Sequence, residues 1–179
     1  MRSAGRLGAI ALVAGLLVLL VVHIATAQRG ARVAAAVAAG KKPAAPDFEL
    51  DRIGRDGKLK LSSLHGRVVV LNFWASWCQA CKDEARTVEA AVRRWQPRGV
   101  VFVGVDSQDF TSDARRFARR FGLTYGSVHD GSGSVMTRYG VTGLPETWTL
   151  DRRGRLVDHI PGVADAGRLD SAIERARRS

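Results

Sequence analysis

The sequence predicts an α/β domain, a central mixed sheet with helices on both faces, and three observations carry that reading. From Val68 onward, strand-like segments alternate with segments of helical period, the order expected when helices cover both faces of a sheet. Two of the strands, Val68 to Phe73 and Val100 to Asp106, are nearly continuous apolar runs, as strands buried on both sides are. The chain then closes with a hairpin and an amphipathic helix, which adds antiparallel strands and makes the sheet mixed.

The elements follow in order. Phe48 to Asp51 and Lys58 to Leu61 flank turn residues at Gly54 and Asp56-Gly57 and read as an amino-terminal hairpin. After the strand Val68 to Phe73, a helix is expected from Cys78 to Trp95, with Ala85, Val88, Val92 and Trp95 on one stripe and Pro97 and Gly99 as its stop. Val100 to Asp106 is the next buried strand, and Asp109 to Phe121 a helix. In that helix Phe110, Phe117 and Phe121 recur at helical spacing, while Arg115, Arg116, Arg119 and Arg120 fill the opposite, solvated face. Tyr125 to His129 is a short strand and Gly133 to Tyr139 a short helix. Thr147 to Leu150 and Arg155 to Ile160, joined by a turn at Asp151 to Gly154, make the closing hairpin, and Ala166 to Arg177 the last helix.

The amino terminus has a different composition. Arg2 and Arg6 precede an unbroken apolar run from Leu7 to Val22, and Ala25-Thr26-Ala27 fits a small-x-small cleavage site, so residues 1–27 form a signal or anchor segment. An uncleaved anchor is the expectation and a cleaved signal the alternative; either places the remaining chain outside the cytoplasmic membrane. Residues 28–46 are Ala-rich and basic, contain two prolines, and read as a linker. Residues 47–179 are long enough for one domain with its own core.

The net charge of +11 does not imply nucleic acid. Six Lys/Arg and no acid lie in residues 1–46, whereas residues 47–179 carry 22 Lys/Arg against 17 Asp/Glu, an excess of +5. More than half of the excess therefore belongs to the segment that would lie beside anionic lipid.

Cys78 and Cys81 are the only cysteines. A bridge between residues three apart closes a tiny loop and removes little entropy from the unfolded chain, so the pair is chemical rather than a staple. The strand running into Trp74 feeds the turn Ala75-Ser76-Trp77 and then Cys78 at a helix start, where free amides and the helix dipole stabilise a thiolate. Cys78 would attack a partner disulfide; Cys81, one turn further in and more buried, would resolve the mixed disulfide. The competing readings are two inert buried cysteines or half of a zinc site, for which His23, His65, His129 and His159 offer no ligand spacing.

Gly143-Leu144-Pro145-Glu146-Thr147 is the second constellation. Pro145 entering a strand is either a trans proline opening an edge or a cis-proline turn that exposes the Leu144 backbone for pairing with a partner's extended peptide.

Four stretches together resemble the thioredoxin superfamily, in its membrane-tethered TlpA/ResA/CcmG (DsbE) branch. They are Ala45 to Leu50, Leu61 to Lys82, Gly140 to Thr147, and the Asp151 to Arg155 turn. The resemblance spans essentially residues 44–179 and implies a thioredoxin-like fold with an amino-terminal hairpin and a central insert around residues 109–129. It implies an extracytoplasmic thiol–disulfide oxidoreductase that reduces disulfides in exported proteins such as apocytochrome c, fed by a membrane dithiol donor, with no cofactor and no metal. In that reading Cys78 attacks, Cys81 resolves, Pro145 is the cis-proline, Trp77 flanks the site, and Glu146 is either an acid tuning proton transfer or a rim carboxylate.

Departures from the family pattern bear on direction. Asn72 stands where cytoplasmic thioredoxin has a buried aspartate, and Gln79-Ala80 replaces the proline-containing dipeptide between the cysteines. The inter-cysteine residues influence thiol pKa and potential, so a disulfide oxidase is the alternative. A copper-binding chaperone is another, and would need His129 or His159 near Cys81. A thiol peroxidase, which wants a lone attacking cysteine, fits poorly.

Overall fold

A computed structural model describes the backbone of residues 2–179 and the side chains outside residues 2–11 and His23. Met1 and the side chains of Arg2, Arg6 and Leu7, on which the positive start and the first part of the apolar run rest, lie outside the described residues.

The chain runs α1 (Arg2–Ala38), β1 (Glu49–Asp51), β2 (Lys58–Lys60), β3 (Val68–Trp74), α2 (Gln79–Trp95), β4 (Val100–Ser107), α3 (Thr111–Phe121), β5 (Gly126–Asp130), α4 (Ser134–Tyr139), β6 (Glu146–Leu150), β7 (Leu156–Pro161) and α5 (Ala166–Arg177). The main sheet has the order β5-β4-β3-β6-β7. Strand β3 pairs in parallel with β4 and antiparallel with β6, so the expected mixed sheet forms with β3 at its centre. All seven residues of β3 are buried, which is what its unbroken apolar run requires. The hairpin β1–β2 forms a separate two-stranded sheet, tied to β5 by an Arg52–Val128 bridge.

Alternation along β3 sends side chains to two cores. Val69, Leu71 and Phe73 join Tyr139 of α4, Trp148, and Phe48 and Leu59 of the hairpin region on one face. Val68 and Val70 join Val88 and Trp95 of α2 and Leu169 and Ile173 of α5 on the other. Trp74, at the carboxyl end of β3, stacks on Phe117 of α3, with ring centroids 4.7 Å apart.

Two expectations give way. Residues 28–38 are not a linker: α1 continues through them, and Gly30, Val33, Ala34 and Val37 turn one stripe onto the domain. A Cβ at Gly30 would collide with the Thr137 carbonyl and lie 2.7 Å from the Gly140 nitrogen, so glycine permits backbone-to-backbone approach of α1 to the end of α4. Composition suggested a tether because alanine is equally at home in a linker and in a helix that packs closely. The second concerns Phe110. It is 77% exposed rather than on the core stripe, because the chain is still extended there (φ −92°, ψ 132°) and α3 begins at Thr111.

Between Leu12 and Val22 the same helix is apolar, and its side chains there are all exposed. The stretch from Leu12 is long and apolar enough to cross a membrane, which suits an anchor.

Candidate active site

Cys78 is the N-cap of α2, with an extended backbone (φ −76°, ψ 114°) and a side chain that accepts from the Cys81 amide at 3.0 Å. It therefore lies where free amides and the positive end of a 17-residue helix favour a thiolate. Cys78 and Cys81 are joined as a disulfide. The expected difference in burial is absent, at 5% and 4% exposure, because the bridge turns both sulfurs into one apolar cluster with Trp74, Ala114 and Phe117.

The turn before Cys78 is clamped from the β4–α3 loop. The Asp109 carboxylate accepts from the Ser76 amide at 2.6 Å and the Ser76 hydroxyl at 3.0 Å. Burial alone would raise its pKa, but these bonds and one from the Phe110 amide outweigh it and hold Asp109 below the ordinary carboxylate range. Trp77, 58% exposed, donates its indole N–H to the Gln108 carbonyl at 3.0 Å. Behind the clamp, Asp106 faces His129 Nδ1 at 2.7 Å; burial first, and the charges of Asp109 and Asp130 after it, push Asp106 up to about 8.

The Leu144–Pro145 peptide bond is cis. Leu144 packs against the α4-side core and the apolar cluster around the dithiol, and its amide and carbonyl make no hydrogen bond among the described residues. That leaves a short strip of backbone open at the start of β6. Pro145 and Cys81 line one cavity, which brings the two sequence constellations together.

Glu146 is buried at 4% exposure and its oxygens are fully engaged. Oε1 accepts from the amides of Thr142 at 3.0 Å and Gly143 at 3.3 Å, and Oε2 lies 2.5 Å from His159 Nε2. His159 in turn stacks on Trp148 at 3.9 Å. Glu146 thus braces the loop that presents Leu144 and Pro145.

The carboxylate that shares the Cys81 cavity is Glu84, which the sequence reading did not single out. The cavity, about 10 Å³, is lined by Asn72, Cys81, Glu84, Phe117, Tyr125 and Pro145 among others, and has room for about one water. Glu84 is 1% exposed; it accepts from Asn72 Nδ2 at 2.8 Å and from the Ala164 amide at 3.2 Å, with no cation within salt-bridge distance among the described residues. Burial raises its pKa from an ordinary 4.5 to about 7, only partly offset by those two bonds. Asn72, unable to titrate itself, positions Glu84, and its own Oδ1 accepts from the Tyr125 hydroxyl at 3.2 Å. A signal was available: Glu84 lies three residues after Cys81 and four before Val88, on the buried stripe of α2.

His129 and His159 are occupied by Asp106 and Glu146, and neither lines the cavity with Cys81. Among the described residues no three His, Cys, Asp or Glu side chains come together as a metal-ligand set.

A disulfide that caps a helix beside an unpaired strip of backbone is equipment for exchanging disulfides with another polypeptide. On this sheet it defines the class, a thioredoxin-like thiol–disulfide oxidoreductase. Residues 42–159 match the AhpC/TSA family, and the chain belongs to that family, in its TlpA/ResA/CcmG branch. It is 37% identical over 129 residues to thiol-disulfide oxidoreductase ResA of Geobacillus thermodenitrificans, covering 72% of each chain. It is 31% identical over 133 residues to ResA of Oceanobacillus iheyensis, covering 73% of this chain and 69% of that one. A solved Chlorobium tepidum chain assigned as a thiol:disulfide interchange protein DsbE superposes with a TM-score of 0.69 at 30% identity, covering 75% of this chain and 96% of that one.

Proposed function

We propose that this oxidoreductase reduces disulfides in exported proteins on the outer side of a membrane, the paired haem-binding cysteines of apocytochrome c being the substrate class. The observation that carries the reading is the helix-capping Cys78–Cys81 pair, whose Cys81 lines one cavity with a buried carboxyl raised to about 7. The apolar, outward-facing part of α1 supports the membrane location, and the ResA relatives support thiol–disulfide exchange as the chemistry.

In the reduced chain the Cys78 thiolate attacks one sulfur of the partner disulfide, and the other partner sulfur leaves as a thiolate. Cys81 gives its proton to ionised Glu84 across the cavity and attacks Cys78 Sγ. The second partner sulfur departs, the partner gains two electrons, and the chain is left with the Cys78–Cys81 bridge. A pKa near the ambient pH lets Glu84 take that proton and return it when a membrane dithiol donor reduces the bridge. Pro145 closes the cavity, the Leu144 backbone pairs with the partner's extended segment, and Trp77 flanks the sulfur that is attacked.

Substituting Cys81→Ser removes the resolving thiol and should trap partners as mixed disulfides through Cys78; recovery of none from the native envelope would sink the proposal. The reduction potential decides direction. A value near about −270 mV supports a reductase, and one near about −120 mV an oxidase of secreted proteins.

A further inference from the structure

The arginine face of α3 is not simply a solvated surface. It forms one wall of a groove of about 490 Å³ that opens beside the dithiol, and the other wall carries Ser76, two residues before Cys78, and Lys82, the residue after Cys81. The floor is apolar, with the rings of Phe117 and Phe121 4.5 Å apart. The rim is cationic: Lys82, Arg116, Arg119 and Arg120 stand against a single acid, Asp113. Asp113 is paired with Arg116, while Arg119 and Arg120 have no carboxylate within 4.0 Å among the described residues.

Four cations and one acid put three of the five excess positive charges of residues 47–179 around this one groove. That concentration works against the helix, because Arg115 and Arg119, and Arg116 and Arg120, are like charges at i,i+4 spacing. An anionic occupant relieves the repulsion, and the apolar floor suits an occupant that also brings apolar side chains. The groove touches residues flanking both cysteines, so a chain lying in it is delivered to the reacting sulfurs.

We propose that the groove is the docking surface for an acidic polypeptide segment of the redox partner, one that sets carboxylates among apolar side chains next to its disulfide. The inference rests on the reading of the chain as a reductant of protein disulfides, and it names what that partner presents. Attraction across such a rim acts mainly on the encounter rate and weakens as salt rises.

The test is single-turnover reduction by the pre-reduced full-length chain in non-ionic detergent. The substrates are two synthetic peptides with the same internal disulfide, flanked by Glu and Phe in one and by Lys and Phe in the other. The small uncharged 2-hydroxyethyl disulfide serves as the control. The wild-type chain should reduce the Glu-flanked peptide about tenfold faster at low ionic strength, with the preference shrinking as salt is added. The exposed pair R119E/R120E should erase or invert the preference and leave the 2-hydroxyethyl disulfide rate unchanged. Equal peptide rates in the wild type, or a preference that survives R119E/R120E, overturn the proposal. So does an R119E/R120E chain that loses affinity for phosphatidylglycerol vesicles while keeping its peptide preference, since the patch would then face lipid. A reduced wild-type chain inert toward both peptides and toward 2-hydroxyethyl disulfide overturns the functional reading itself, and the groove with it.

Discussion

Glu84 and Glu146 are buried almost equally, at 1% and 4% exposure, on two sides of the dithiol's surroundings, yet they are held for opposite ends. Glu146 accepts from two loop amides and faces a histidine, so both of its oxygens are spent on holding the loop. Glu84 meets two neutral donors and no cation within salt-bridge distance among the described residues, so burial prevails and its proton stays exchangeable near neutral pH. The difference lies in the partners: the loop amides and an imidazole tie Glu146 to the Leu144–Pro145 loop, whereas Glu84 faces the cavity that Cys81 lines.

The sharpest way to break the comparison is Glu84→Gln. With no group to receive the Cys81 proton, the resolving step should slow by about 10²-fold, and the inflection near pH 7 in its pH profile should vanish. Stopped-flow release of the second partner thiol measures this; an unchanged profile would exclude Glu84 as the acceptor.

Stability against pH tests Glu84 next. The folded-state pKa of Glu84 lies above its ordinary 4.5, so the native chain holds this proton more tightly than the unfolded chain does. Its contribution is then fully present below pH 4.5 and is lost as pH rises through about 7. The shift corresponds to about 3 kcal/mol. Relative to wild type, Glu84→Gln should gain about that much unfolding free energy between acidic pH and about pH 8, read from denaturant titrations.

Removing the brace is expected to be a somewhat smaller event. Glu146→Ala leaves the Thr142 and Gly143 amides without their acceptor and should cost about 2 kcal/mol, with Glu146→Gln recovering part of it. A shifted pH profile for the resolving step in Glu146→Ala would instead show that Glu146 takes part in the proton transfer.

The smallest effect tests how far the braced side extends. Val37 of α1 and His159 of β7 line a common cavity, and Gly30 touches the end of α4. Gly30→Leu should lift the last turns of α1 off the domain at a cost of about 1 kcal/mol. Amide exchange from Gly30 to Val37 should quicken, while reduction of a small soluble disulfide stays unchanged.

Much of this was legible in the chain. The strands β3 and β4 announced themselves as unbroken apolar runs, and α2 through its stripe and its Pro97 stop. The cysteine pair at a helix start and the proline entering β6 marked the two halves of the site, although residues alone left Pro145 open between cis and trans. Three features were not legible. The end of α1 looked like a linker because its stripe consists of small residues whose packing partner, α4, lies a hundred positions away. Phe110 was placed on the core stripe, whereas the Asp109 carboxylate, spent on the Ser76 turn, belongs to the loop and α3 starts later. Glu84 shares the spacing of the buried stripe, but a carboxylate on such a stripe ordinarily marks its edge.

The order of elements and the seat of the dithiol at a helix start are written locally in the chain, because hydrophobic period and helix capping are properties of neighbouring residues. Which carboxyl lies under Cys81 depends on folding. The environment of Glu84 is assembled from Asn72 on β3, Tyr125 before β5 and the Ala164 amide 80 residues away. Desolvation is a sum over atoms brought together by folding, and no window of the sequence contains that sum.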